Sequence, residues 1–304
     1  MVRASTLVVS LLASVASVTA FPLLEKRQSI TTLTTAQVNS YNPFAYYVSA
    51  AYCEPAKVKT WTCGTNCDKN PGFKVIANGG DGGQTQYWFV GYDPTLKSII
   101  VGHQGTDGDK ILSVLNNAAF GLKTLKTSIF PGIGTSAKAH SGFVDAHERS
   151  AAPILAAVRQ GLSTYGSNTQ VTVTGWSLGG ALAILTSTQI ATNIPTARVK
   201  TVSYGSPRVG NEAFANFANA RAEMVRINNK KDIVPILPGR FLSYAHTEGE
   251  IHVTTSGSWV SCPGQDNTAS QCTIGTVPNI LAGDVNDHDG PYNGITLGCD
   301  AGKK

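Results

Sequence analysis

Residues 169–190 read TQVTVTGWSLGGALAILTSTQI. Val171 and Val173 alternate with Thr172 and Thr174, the two-residue period and β-branched content of a strand. From Leu178 onward Ala181, Leu182, Leu185 and Ile190 fall at helical spacing. Gly175-Trp176-Ser177-Leu178-Gly179 therefore reads as a sharp strand-to-helix turn that pushes the serine hydroxyl clear of the backbone. Gly175 and Gly179 leave room for such a turn, and Gly180 lets the helix pack closely. The Leu178 N–H then lies at a helix N-terminus, where unpaired donors and the helix dipole favour a developing negative charge. In a chain with 31 glycines the five-residue pattern arises by chance often enough that the flanking strand and helix carry the reading. A serine alone is a poor nucleophile, so a base and its orienting acid must lie elsewhere in the chain.

At the N-terminus Arg3 precedes an apolar run from Leu7 to Val18, and Val18 and Ala20 suit the positions before a signal-peptidase cut. This predicts a signal peptide over residues 1–20 and secretion. The run is too short for a bilayer anchor, although an uncleaved anchor is the alternative. Lys26-Arg27 closes a short pro-segment over 21–27 and leaves Gln28 as mature N-terminus. Residues 28–304 then form a single sizeable α/β domain. The formal charge of +5 falls to +3 once Arg3, Glu25, Lys26 and Arg27 are removed, and charged residues make up only 14% of the chain. With no clustered Lys/Arg and interleaved aromatics, nucleic acid is not an expected partner. There is no Asn-x-Ser/Thr triplet.

Six cysteines in a secreted chain read as disulfides, with fifteen pairings open. Locality favours Cys63–Cys67 and Cys262–Cys272, leaving Cys53–Cys299 to join the two ends of the domain. A metal reading lacks ligands, because no histidine lies near Cys63 and Cys67.

The remaining chain alternates strand and helix patterns. Thr34 to Cys53 is helical, kinked or split at Pro43. Phe73–Ala77 and Gln86–Tyr92 form a hairpin about the turn-rich residues 78–83. Ser98–Gly102 is a short buried strand running into His103-Gln104-Gly105-Thr106-Asp107. In open α/β sheets ligand groups gather beyond the carboxyl ends of strands, so the Thr106 N–H is a candidate second donor to an oxyanion. Asp109–Phe120 is amphipathic, with Ile111, Leu112 and Leu115 on one face and Phe120 closing it. On a long excursion with no strong strand before His140, this segment reads as a lid spanning roughly residues 107–125; a core-packed helix is the plainer alternative. Ser141–Tyr165 is a long helix, with His140 and His147 in structural or surface roles. Val199–Tyr204 and Ala222–Asn228 are further strands, and Asp232 follows the second of them. Residues 251–261 read as a final hairpin or edge pair. Asp287-His288-Asp289 lies in a turn-rich loop.

The order Ser177, Asp232, His288 is the serine–acid–histidine order of α/β-hydrolases. His288 would pass the proton between Ser177 and the departing alcohol, and Asp232 would hold the ring tautomer and stabilise the imidazolium. Asp287 and Asp289 are nearer in sequence, but adjacent side chains usually point apart, which favours an acid from a separate strand end. The sequence resembles the fungal class 3 lipases, secreted triacylglycerol lipases that include some feruloyl esterases. The resemblance rests on AYC at 51–53, WTCGTNC at 61–67, GT at 105–106, HSGF at 140–143, GWSLGGALA at 175–183, PRVG at 207–210, NKKDIVP at 229–235 and DH at 287–288, with the cysteine-bearing tail. It covers nearly all of the mature chain. It implies an α/β-hydrolase fold with a mostly parallel sheet, Ser177, Asp232 and His288 as catalytic triad, Thr106 and Leu178 as oxyanion hole, and the three disulfides favoured above. Trp176 stands where the family usually has histidine, and Gln104 where many members have arginine. The apolar face of residues 109–120 favours acylglycerol at a lipid–water interface over a soluble feruloyl ester. A silent lipid-binding relative is the reading from another class. No cofactor, metal or obligatory protein partner is expected, and the chain is expected to be a monomer.

Overall fold

The computed structural model describes Met1, residues 29–106 and residues 121–299. The expected signal peptide, the pro-segment, and the lid residues Ile111, Leu112, Leu115 and Phe120 lie outside the described residues. The β-branched runs assemble into one nine-stranded sheet. Its order is β1 (Thr31–Thr32), β11 (Trp259–Cys262), β10 (Glu250–Val253), β9 (Glu223–Asn229), β8 (Val199–Tyr204), β7 (Gln170–Trp176), β4 (Ser98–His103), β3 (Trp88–Asp93) and β2 (Lys74–Gly79). The five central strands β4, β7, β8, β9 and β10 run parallel, and antiparallel pairs extend the sheet at both ends. This is the mostly parallel α/β-hydrolase sheet expected from the sequence.

The alternation in β7 reflects two buried faces rather than one buried and one wet. Val171 and Val173 enter the larger core with Ile154, Val158, Leu182 and Leu185. Thr172 and Thr174 face the other way and are buried as well, their hydroxyls paired with Ser98 Oγ (3.1 Å) and the Val202 carbonyl (2.7 Å). Hydrogen bonding makes threonine tolerable there. The helix Leu178–Asn193 packs against β7, β8 and the long helix Ser141–Tyr165, which also lies on the sheet, and it is buried on all sides from Leu178 to Ala191. Its polar residues Thr186, Ser187, Thr188 and Gln189 are buried with their side chains hydrogen-bonded. On the opposite face, the N-terminal helices and the C-terminal tail cover Trp176, Val202, Tyr204 and Ile227.

One expectation is made definite and two change. At Pro43 the helix is split, into Thr35–Asn39 and Asn42–Ala50, with Pro43 in the first turn of the second helix, a place that suits it. Residues 250–262 do form a hairpin, but β10 is an interior strand paired parallel to β9, and the edge is Thr31–Thr32. Before His140 there is a small sheet of β5 (Leu122–Thr124) and β6 (Lys138–His140), where no strand was expected. Leu125 and Phe130 beside it are buried in the larger core, so residues 122–125 belong to the body of the domain. The disulfides are Cys53–Cys299, Cys63–Cys67 and Cys262–Cys272, the first closing 246 residues. No helix among the described residues is long and apolar enough to cross a membrane.

Two histidines are sealed in the larger core. His103 ends β4 against Thr186 Oγ1 (2.9 Å), and His147 packs on Phe130. Burial holds His103 down at about 3 and His147 at about 4, against an ordinary value near 6.5. The unfolded chain therefore binds more protons than the folded one below about pH 6.5, and stability is lost as pH falls from there toward 4. Thermal melts should show Tm dropping steadily over that interval. His147→Phe should flatten the slope; a wild-type Tm that is constant from pH 6.5 to 4 would contradict this.

Candidate active site

Ser177 sits at the junction of β7 and its helix with φ +61° and ψ −126°, a backbone state that L-residues rarely adopt. The turn closes so tightly that a Cβ on Gly175 would meet the Gly179 carbonyl oxygen at 2.1 Å, and one on Gly179 would meet the His103 carbonyl oxygen at 2.5 Å. Both neighbours are main chain, so neither can move aside. Ser177 N–H donates to the Tyr204 carbonyl of β8 (3.0 Å), which ties the turn to the next strand. The residue is fully buried. Leu178 is the first helical residue, so its N–H has no acceptor within the helix.

Asp232 and His288 come from two loops beyond the carboxyl end of β9. Asp232 follows that strand and spends one carboxylate oxygen on the Val234 N–H (2.9 Å). Its other oxygen accepts from His288 Nδ1 at 2.8 Å, with both side chains buried. With the Nδ1 proton on that bond, Nε2 carries the lone pair. His288 Nε2 and Ser177 Oγ are both buried without a hydrogen-bond partner among the described residues. Most buried polar atoms in folded proteins are hydrogen-bonded, and a catalytic role is one explanation for an exception.

The His288 loop is fastened to the Asp232 loop through Asp287. Asn229 Nδ2 donates to the Asp287 carbonyl (2.9 Å), and the Lys231 N–H donates to Asp287 Oδ2 (3.1 Å). Asp287 thus faces away from the imidazole it adjoins in sequence. Gly205, just past β8, closes the floor of the pair with φ +49°. A Cβ there would stand 2.9 Å from Asp232 Oδ2 and 2.9 Å from His288 Nδ1.

Thr106 and Leu178 line one cleft of about 400 Å³, together with Gln84, Gln86, Gln104 and Arg149. Gln104 prolongs the β3–β4 ladder: its N–H donates to the Tyr87 carbonyl and its Oε1 accepts from the Tyr87 N–H, each at 2.8 Å. A glutamine in this place spends its side chain on backbone. The Tyr52 hydroxyl accepts from the Gly105 N–H (2.9 Å) and donates to the Trp176 carbonyl (3.3 Å), bridging the Thr106 turn to the Ser177 turn. Sequence reasoning did not single out Tyr52 or Gly205. For Gly205 the available signal was a glycine directly after a buried strand.

The family model described as Lipase (class 3) matches residues 100–242. A secreted mono- and diacylglycerol lipase of Fusarium solani is 31% identical over 258 residues, 80% of this chain and 74% of that protein. Another from Malassezia globosa is 27% identical, covering 86% and 80%. Among solved structures, a triacylglycerol lipase described as having a serine-protease triad at its catalytic centre superposes with a TM-score of 0.77 at 26% identity, over 90% of this chain and all of that one. The lipase of Rhizopus microsporus var. chinensis gives 0.76 at 26% identity, over 89% and 91%.

Gly205→Ala should lower kcat for a short chromogenic ester by about 10²-fold, because displacing the carboxylate–imidazole pair by a fraction of an ångström spoils its alignment. Initial rates with circular dichroism as a folding control check this; an unchanged kcat would dissociate Gly205 from the pair.

Proposed function

We infer, for a chain that belongs to the fungal class 3 lipase family, that it hydrolyses acylglycerol esters with Ser177 as nucleophile, His288 as general base and acid, and Asp232 as the group that orients the imidazole. The observation that carries this reading is the 2.8 Å Asp232–His288 bond, which leaves Nε2 of the buried imidazole uncommitted, as the buried Ser177 hydroxyl also is among the described residues. Ser177 Oγ attacks the ester carbonyl as His288 Nε2 takes its proton. The N–H groups of Leu178 and Thr106 receive the negative oxygen of the tetrahedral intermediate. Collapse breaks the bond to the alcohol, which leaves with the proton from His288. Water then attacks the acyl-serine by the same proton path, releasing the acid and restoring Ser177.

Lipid as substrate is supported by exposed apolar side chains near the proposed triad in sequence. Apart from Met1, the large apolar side chains most exposed among the described residues are Phe241 (88%), Ile280 (55%) and Leu281 (92%). Phe241 follows Asp232 by nine residues, and Ile280 and Leu281 precede His288 by eight and seven, so the proposal takes the three as an apolar rim that favours contact with fat. The face of Ile111, Leu112, Leu115 and Phe120 is the proposed cover, giving interfacial activation when it leaves the cleft. Secretion agrees with three disulfides and with relatives named as secreted enzymes.

Ser177→Ala should abolish hydrolysis, and Asp232→Asn should lower kcat by about 10⁴-fold through the wrong tautomer; near wild-type rates in either would remove the mechanism. With tributyrin, the rate should break upward at the solubility limit. Ile280→Ser/Leu281→Ser should reduce that break while leaving turnover of a dissolved ester unchanged. A smooth curve with fast methyl ferulate turnover would assign the site to soluble esters instead.

A further inference from the structure

Trp176 ends β7, one residue before the nucleophile, and its side chain lies on the face opposite Val173. Its indole Nε1–H donates to the backbone carbonyl of His288 at 2.9 Å, in a buried position. The indole and imidazole ring centroids are 4.9 Å apart with 38° between the planes. The Tyr52 ring also packs against the indole, its centroid 5.3 Å away. The Tyr292 hydroxyl donates to the same His288 carbonyl at 3.2 Å.

His288 needs such support. It follows a single 3-10 turn, Val285–Asp287, and no strand or long helix carries it. Its other ties run through Asp287 to Asn229 and Lys231, one residue away from the ring. The titratable groups about it are few. Asp232 holds Nδ1. Asp287 faces Lys230 and the Lys231 N–H, Asp289 lies on the same loop, and the Tyr292 hydroxyl is committed to backbone.

We propose that Trp176 is a positioning residue for the general base: its N–H fixes the His288 backbone, and its ring steadies the imidazolium formed during each proton transfer. The proposal rests on His288 acting as base, as argued above. The two functions separate physically. A hydrogen bond to the carbonyl sets where the imidazole pivots. A cation beside an aromatic face is stabilised only while it is charged, so that part acts at the transition state and not on substrate binding. Both effects therefore enter kcat and leave KM for a dissolved ester in place.

The test uses the full mature chain and p-nitrophenyl butyrate. Trp176→Phe keeps a ring and loses the donor; Trp176→Leu loses both. Expected are a kcat about tenfold lower for W176F and about 10²-fold lower for W176L, with KM within about twofold. The acid limb of kcat/KM in W176L should move to lower pH, since the charged form has lost its aromatic neighbour. Protonated imidazole quenches a touching indole, so wild-type fluorescence should fall on acidification with the midpoint of the kinetic limb. That step should be missing in W176F and in His288→Gln. Unchanged kcat and pH profile in both tryptophan variants would overturn the proposal. So would a wild-type emission step that survives in His288→Gln, and this arm stands even if a tryptophan variant fails to fold. Loss of the hydrolase reading itself would show separately, as undiminished rates in Ser177→Ala.

Discussion

Where β7 passes into its helix, three stretches of main chain come closer than any side chain would permit. Gly175 lies under the Gly179 carbonyl, Gly179 under the carbonyl of His103 at the end of β4, and Ser177 is forced to φ +61° between them. This crowding fixes the distance between the serine, the Leu178 amide and the turn that leads to Thr106. None of the three can shift alone, because each is main chain of a buried strand or helix. Strain of this kind persists only where the surroundings over-determine it. Here the parallel register of β4, β7 and β8 does so.

The proton-handling half of the site is built on another principle. Asp232 and His288 sit on loops, and side-chain hydrogen bonds rather than sheet geometry hold them. Asn229, Lys231 and Trp176 each bind the backbone or carboxylate of the 287–288 segment, and Gly205 leaves the space in which carboxylate and imidazole meet. One half is rigid by packing and the other by directed polar contacts. A substitution in the first half would disturb the fold, whereas one in the second half would disturb alignment while the sheet stayed intact.

Much of this was legible in the residues. The switch from period two to helical spacing at Ser177 located the turn, and strand ends located Asp232 and Thr106, because local patterns report local geometry. The long helix Ser141–Tyr165 could be read to the residue. What was not legible depends on partners distant in sequence. The hairpin of β10 and β11 reads as an edge pair until β10 is seen beside β9 and Thr31–Thr32 beside β11. β5 and β6 are three residues each and make sense only as a pair. The threonines of β7 look solvent-facing, yet their hydroxyls are spent inside the protein. Trp176 reads as an unusual neighbour of the nucleophile, and its indole N–H meets a carbonyl 112 residues on.

The C-terminal segment carries the proposed base and is strapped to the first helices. Cys53 bonds Cys299 across 246 residues, Asn66 Nδ2 donates to the Gly298 and Cys299 carbonyls at 3.2 Å, and the Gly298 N–H donates to Ser49 Oγ at 3.2 Å. During translation the nucleophile and its amide donors emerge more than a hundred residues before the imidazole. A nascent chain cut before residue 288 would hold the proposed nucleophile without the proposed base. The proposed serine–imidazole pair thus joins an early part of the chain to a late one, and the strap to Ser49, Cys53 and Asn66 holds the late part in place.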